Sequence, residues 1–289
     1  MNRVYHSAGA NLGASPEARL GASLGFRETG TGMPVIFLHP TPLDREYWRP
    51  LTEELGGVRA IIPDLRGHGR SELGADLLIG SFAAVPDAPV LTMTQIAADV
   101  LALMDHLGVP EAVFVGCSIG GYVLLELWRI APQRITDLVF ICSKPQPDTE
   151  TNRAKRAANI AQVRATGTDA LFDGMAQNLT GKTAQERHPR MVAELRSRMT
   201  LTAQAAIAVQ AGLATRPDSL PTIPTIDVPV LAIAGGEDSA VTPVEMEAFA
   251  SVPGGCEFHL LPDAGHFAAY EQPHKVASLL AEWLRQPQA

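Results

Sequence analysis

Cysteine is scarce in this chain and does not cluster. Cys117, Cys142 and Cys256 form no C-x-x-C pair and no zinc-ligand spacing, so neither a disulfide framework nor a cysteine metal site is expected. They read as reduced, buried thiols, in keeping with a cytoplasmic protein. Long apolar runs are missing as well. Nothing approaches the roughly 18 uninterrupted apolar residues of a membrane span, and Met1 to Phe26 holds no secretory apolar core. Positive charge is in deficit: 23 basic against 31 acidic side chains give a formal net charge of −8. Nucleic acids and anionic membranes would be repelled, so neither is expected as a partner. No internal repeat and no low-complexity tract is visible.

What remains is an ordinary globular balance, 46% hydrophobic and 19% charged over 289 residues. That suits one large domain or a core with an insertion. Short apolar runs at Val35–His39, Ala60–Pro63, Ala112–Val115 and Ile135–Cys142 read as strands, with Leu24–Glu28 a weaker one hairpinned onto the first. Helical patterns lie between them. Tyr47, Trp48, Leu51 and Leu55 suggest one helix, and another spans Thr92–Leu107, with capping-box spacing at Thr92 and Gln95. Tyr122 to Ile130 is a third. Continuous apolar strands alternating with helices predict a parallel sheet covered on both faces. From Lys144 to about Leu220 the strands stop and helix-like segments follow. Strands resume at Pro229–Ala234 and Glu257–Leu261, and a last helix carries Val276, Leu279, Leu280, Trp283 and Leu284. The predicted architecture is a doubly wound α/β core, residues 1–143 and 220–289, interrupted by a helical insertion at 144–219. Pro217–Pro224 reads as the return linker.

Gly116-Cys117-Ser118-Ile119-Gly120 fits G-x-S-x-G where a predicted strand turns into a predicted helix. A serine held in a strained elbow needs small residues two positions to either side. Cys117 would lack them, having Val115 and Ile119 there, so it reads as the inward spacer. A serine hydroxyl needs a base and an orienting carboxylate. His266, in Asp263-Ala264-Gly265-His266-Phe267, and Asp238, in Gly235-Gly236-Glu237-Asp238, both follow predicted strands at their carboxyl ends, where parallel sheets place their sites. Glu237 is the local rival of Asp238. The order Ser118, Asp238, His266 is that associated with this elbow.

With these motifs the chain resembles the α/β-hydrolase fold superfamily, from about Leu24 to Leu284. Phe37-Leu38-His39-Pro40-Thr41-Pro42 is similar to the family's oxyanion loop, and Asp64-Leu65-Arg66-Gly67-His68-Gly69-Arg70-Ser71 to its D-x-R-G-x-G-x-S loop. The resemblance implies a mostly parallel eight-stranded sheet with an inserted helical cap. It also implies acyl transfer by the triad Ser118, Asp238 and His266, without metal or cofactor. Pro40 stands where the family usually has glycine. Ile119 supplies one oxyanion donor and Thr41 the other, since Pro40 and Pro42 have no N–H to give. His39 and His68 read as structural. Serine rather than aspartate at position 118 disfavours relatives that form the ester on a carboxylate.

The expected activity is carboxylic ester hydrolysis. The alternatives are an enol-lactonase, a cofactor-free perhydrolase and a non-catalytic small-molecule receptor on the same fold. The insertion holds eleven basic and seven acidic residues, a local charge of +4 over a core of −12. A basic lid would favour an ester or lactone carrying a carboxylate, whereas ordinary solvated helix faces and salt bridges would leave no such preference. Leu73–Leu91 suggests only an extra loop near the site, and residues 1 to about 17 stay unassigned.

Overall fold

The computed structural model describes residues 2–6, 23–82 and 85–285. Ten strands are present among them: β1 (Asn2–His6), β2 (Ser23–Thr29), β3 (Met33–Leu38), β4 (Val58–Pro63), β5 (Leu78–Phe82), β6 (Val85–Val90), β7 (Ala112–Cys117), β8 (Ile135–Ile141), β9 (Val230–Gly235) and β10 (Cys256–Leu261). Eight of them form one sheet in the order β1-β2-β4-β3-β7-β8-β9-β10, and β5 and β6 form a separate hairpin. From β4 to β10 every neighbour is parallel, while β2 is antiparallel to both β1 and β4. Every residue of β7 and β9 is buried, which is why both read as unbroken apolar runs. The expected mostly parallel sheet with a helical insert is what the chain builds.

Two expectations change. β2 does not hairpin onto β3; β4 lies between them. Gly30 and Gly32, at φ 75° and 121°, carry the chain past the start of β4, and a Cβ on either would lie 2.3 or 2.1 Å from the Val58 or Gly57 carbonyl oxygen. Only glycine lets the connection pass so close. Residues 2–6, left unassigned by the sequence, add the edge strand, with Asn2 opposite Arg27 and His6 opposite Ser23. The rest of that unassigned stretch lies outside the described residues.

Alternation along the strands divides the core into two layers. Ile36, Leu38, Phe114, Leu138 and Phe140 face α1 (Met93–Leu107) and α2 (Ile119–Ile130). Val35, Phe37, Val113, Val115, Val139 and Ile141 face the Tyr47–Trp48 turn and the last helix. The predicted capping box closes the start of α1, with Gln95 N donating to Thr92 Oγ1 at 3.1 Å and Thr92 N to Gln95 Oε1 at 3.0 Å. Gly108, left-handed at φ 63°, ends that helix. The helix expected around Tyr47 is two short turns, Arg45–Trp48 and Arg49–Thr52.

Between β8 and β9 the insert contributes α3 (Glu150–Thr166), α4 (Asp169–Leu179), α5 (Lys182–Arg187), α6 (Pro189–Ser197) and α7 (Ala203–Ala214). After β10 comes α8 (Pro273–Trp283). The stretch Leu73–Leu91, read as an extra loop near the site, holds the β5–β6 hairpin, which braces the insert. Val85, Ala88 and Val90 pack against Ile160 of α3 and Ala211 of α7. Leu91 N donates to Ala208 O at 3.1 Å, and a Cβ on Gly212 would lie 1.8 Å from Leu91 O. Glycine at 212 therefore permits backbone-to-backbone seating.

The insert neutralises much of its own charge. Arg156 and Arg216 both pair with Asp148, Arg196 with Asp169 and Asp173, Arg198 with Glu194, and Lys182 with Glu186. Lys144 reaches the core, at Glu245. Those internal pairs use acids already counted in the net +4, so of these bridges only the one from Lys144 to Glu245 reduces the basic excess.

Candidate active site

Ser118 sits at the turn from β7 into α2 with φ 53° and ψ −116°, a strained conformation for a non-glycine residue. Three bonds hold that backbone: Ser118 N donates to Ile141 O at 3.1 Å, while its carbonyl accepts from Tyr122 N at 3.2 Å and Ser143 Oγ at 3.0 Å. The flanking glycines are obligatory. A Cβ on Gly116 would lie 2.6 Å from the Gly120 carbonyl carbon, and one on Gly120 would lie 2.2 Å from Leu38 O. Sequence spacing had required this.

His266 follows β10 and Asp238 follows β9, 28 residues apart in sequence, and their side chains meet at 2.7 Å between Nδ1 and Oδ2. The other carboxylate oxygen accepts from Ala240 N at 2.8 Å and Val241 N at 3.0 Å, fixing the group's orientation. With Nδ1–H committed to Asp238, Nε2 is the ring's proton acceptor. Glu237 faces elsewhere: it accepts from Thr183 N at 2.8 Å and Thr183 Oγ at 2.7 Å, on α5. Ser118, His266 and Thr41 line one cavity of about 740 Å³ between the strand ends and the insert.

The Ile119 amide lies in the first turn of α2, where no intrahelical acceptor exists. Thr41 is buried on the loop after β3, and its peptide bond to Pro42 is cis. Two buried histidines shape this loop. Thr41 Oγ donates to His68 Nε2 at 2.9 Å, and His68 Nδ1–H is directed at Arg66 O at 3.0 Å. His39 Nε2 accepts from Leu65 N at 2.9 Å, with Nδ1 directed at Pro40 O at 3.0 Å. Each ring must be neutral to accept as it does. Burial holds His39 down to about 4 and His68 down to about 3. Asp64 anchors the same region, accepting from the amides of Arg45 at 2.8 Å and Arg70 at 2.9 Å and pairing with the Arg45 guanidinium.

Cys117 points inward, bonded to Tyr47 Oη at 3.3 Å and to His266 O at 3.6 Å. Burial raises its thiol far from the thiolate range, so a nucleophilic role has no basis. Among the described residues no group of three His, Cys, Asp or Glu side chains could hold a metal ion.

Sequence reasoning missed the polar character of the cavity. Asn152, Lys155, Asn159, Asn178 and Gln210 line it alongside Tyr122, Leu171, Met175 and Leu213. The insert's helices read only as helix-like segments. It also missed Glu271, whose carboxylate gathers amides from around His266.

The pattern of the Alpha/beta hydrolase family matches residues 35–279. A thermophilic esterase from Thermogutta terrifontis, solved with malate bound, is 31% identical, with 98% of each chain covered and a TM-score of 0.86. The enol-lactonase from Burkholderia xenovorans LB400 is 25% identical, covering 92% of this chain and 98% of its own, with a TM-score of 0.80. Among curated proteins, a 2-succinyl-6-hydroxy-2,4-cyclohexadiene-1-carboxylate synthase from an Enterobacter species is 27% identical over 255 residues, 87% of this chain and 91% of its own.

Proposed function

The chain belongs to the Alpha/beta hydrolase family, and on that footing we propose that it is a serine hydrolase cleaving carboxylic esters through an acyl-enzyme intermediate. The observation that carries the reading is the oriented His266–Asp238 pair at 2.7 Å, with His266 lining the same cavity as the elbow serine. Ser118 Oγ attacks the ester carbonyl while His266 Nε2 takes its proton. Asp238 holds the imidazole in the required tautomer and stabilises its charge. The carbonyl oxygen becomes an oxyanion facing the amides of Thr41 and Ile119. Collapse expels the alkoxide, which receives the proton from His266. Water, deprotonated by the same nitrogen, then attacks the acyl group, and its proton passes back to Ser118 as the acid leaves.

Lactone hydrolysis is the second reading, and what favours it is the likeness to the Burkholderia enol-lactonase. The same steps apply, except that the released alkoxide stays tethered to the acyl group. On substrate charge, the cavity offers a polar lining with Lys155, an exposed cation outside the insert's ion pairs. This favours an ester or lactone bearing a carboxylate or other polar group on its acyl side.

The test is hydrolysis of p-nitrophenyl esters and lactones, neutral and ω-carboxylate, by wild type and Ser118→Ala. Wild-type turnover with a loss of at least about 10⁴-fold in Ser118→Ala supports the mechanism. Full activity in Ser118→Ala refutes it, and binding without turnover by the wild type favours a receptor. Faster turnover of neutral short esters than of their carboxylate counterparts would sink the substrate-charge reading alone.

A further inference from the structure

The three consecutive amides around His266 all have acceptors, and the acceptors come from two places. Gly265 N donates to Glu271 Oε2 at 2.9 Å and Phe267 N to Glu271 Oε1 at 3.2 Å. Between them, His266 N donates to Leu179 O, the end of α4 in the insert, at 2.8 Å. Glu271 Oε2 accepts a further bond from Gly181 N, also in the insert, at 3.1 Å. One carboxylate therefore bridges the histidine loop and the α4–α5 turn.

The two backbones touch here. A Cβ on Gly265 would lie 2.2 Å from Gly181 N, and a Cβ on Gly181 would lie 2.6 Å from Glu237 Oε2, 2.7 Å from Gly265 N and 2.8 Å from Glu271 Oε2. On the opposite side, Cys142 Sγ and Cys117 Sγ donate to the carbonyls of Gly265 and His266 at 3.5 and 3.6 Å. The loop is pinned between weak thiol donors from the sheet and a charged acceptor shared with the insert. Hydrogen bonds to an ionised acceptor are roughly twice as strong as neutral ones, so the Glu271 side dominates. Burial raises the Glu271 carboxyl, and the three amide donors work against that rise.

We propose that Glu271 is a positioning residue for His266, and that through it the seating of the insert's 179–181 turn on the core sets where the imidazole stands. The insert is then part of the catalytic apparatus as well as the roof of the cavity. A shift of the turn drags the His266 amide through Leu179 and the flanking amides through Glu271. Misplacing a catalytic base by about 1 Å costs on the order of 100-fold in rate. Glutamine at 271 keeps the shape but turns an NH2 group toward amide donors, losing at least one of the three bonds. An alanine methyl at 181 forces the same contact apart from the insert side while keeping glutamate at 271, and presses on Glu237 Oε2 as well.

The inference rests on His266 being the general base of the proposed reaction. Its test measures kcat and KM for p-nitrophenyl acetate in wild type, Glu271→Gln, Gly181→Ala, the double variant and Ser118→Ala. Each single variant is expected to lower kcat about 10- to 100-fold with KM within about threefold. The double is expected to lose much less than the product of the singles, since both break one contact. Gly181→Ala keeps the test open if Glu271→Gln does not fold. A kcat for Glu271→Gln within twofold of wild type, or a lowered melting temperature with kcat unchanged, overturns the positioning role. Losses that multiply overturn the link to the insert. An inactive Ser118→Ala beside a fully active Glu271→Gln refutes this inference alone, whereas an active Ser118→Ala removes the reading beneath it.

Discussion

Replacing His68 by glutamine tests whether the loop carrying Thr41, the proposed oxyanion donor, is built on a neutral imidazole. His68 is wholly buried, held down to about 3, with Nε2 accepting from Thr41 Oγ at 2.9 Å. In the unfolded chain a histidine titrates near 6.5. A folded value below the unfolded one means that the unfolded state binds the proton first. His68 therefore costs no stability above about pH 6.5, and stability is lost as pH falls from there toward about 3. At pH 5 the unfolded group is almost fully protonated and the folded one neutral, a difference of about 1.5 units, or roughly 2 kcal/mol. His39, held down to about 4, adds a similar loss. Asp64, which burial raises to about 6, runs the other way: a carboxyl bound more tightly to its proton in the fold adds stability as pH drops below that value. Total stability thus mixes opposing contributions, and the difference between variants isolates one. Urea midpoints at pH 8 and pH 5 should fall further in wild type than in His68→Gln, by about 2 kcal/mol. That is somewhat under 1 M urea at a slope near 3 kcal/mol/M. Identical pH dependences would refute the neutral-imidazole account of the loop.

Two further substitutions probe other joints. Asp238→Asn keeps the shape of the pair but presents an NH2 or a neutral oxygen to His266 Nδ1, and kcat on an activated ester should fall by about 10³- to 10⁴-fold with the fold intact by circular dichroism. An unchanged kcat would move the orienting role to another carboxylate. Gly212→Ala puts a methyl 1.8 Å from Leu91 O, so the β5–β6 hairpin must lift from α7. The melting temperature should drop by several degrees, for a cost of about 1–3 kcal/mol; a wild-type value would show the hairpin to be dispensable.

The core was legible because burial on both faces leaves a mark in the sequence. Phe114, Val115, Val139 and Ile141 are apolar in succession along their strands since each side of the sheet is covered. The elbow was legible because sterics admit so few residues at 116 and 120. Thr92 and Gln95 announced their helix for the same local reason. Pairing order was not legible. Whether β2 lies next to β3 or β4 depends on two positive-φ glycines whose letters also fit a hairpin turn. The hairpin at 78–90 was hidden because Pro86 and Pro89 interrupt any strand pattern. Glu271 escaped for a different reason: its partner Gly181 lies 90 residues away, and no periodicity encodes a single carboxylate meeting amides from two segments. Charge counting over the insert was too coarse, since a net +4 does not tell cations already paired with the insert's acids from Lys155, which lines the cavity.

The hairpin's grip on α3 and α7 also bears on how such an enzyme is re-engineered. Because Val85, Ala88 and Val90 complete the apolar underside of the insert, the transplantable cassette is two pieces of chain separated by α1, β7, α2 and β8. A chimaera that imports foreign helices between β8 and β9 while keeping the native hairpin would set mismatched surfaces against each other. Donor hairpin and donor helices have to travel together, and a shuffled library should link those crossover points.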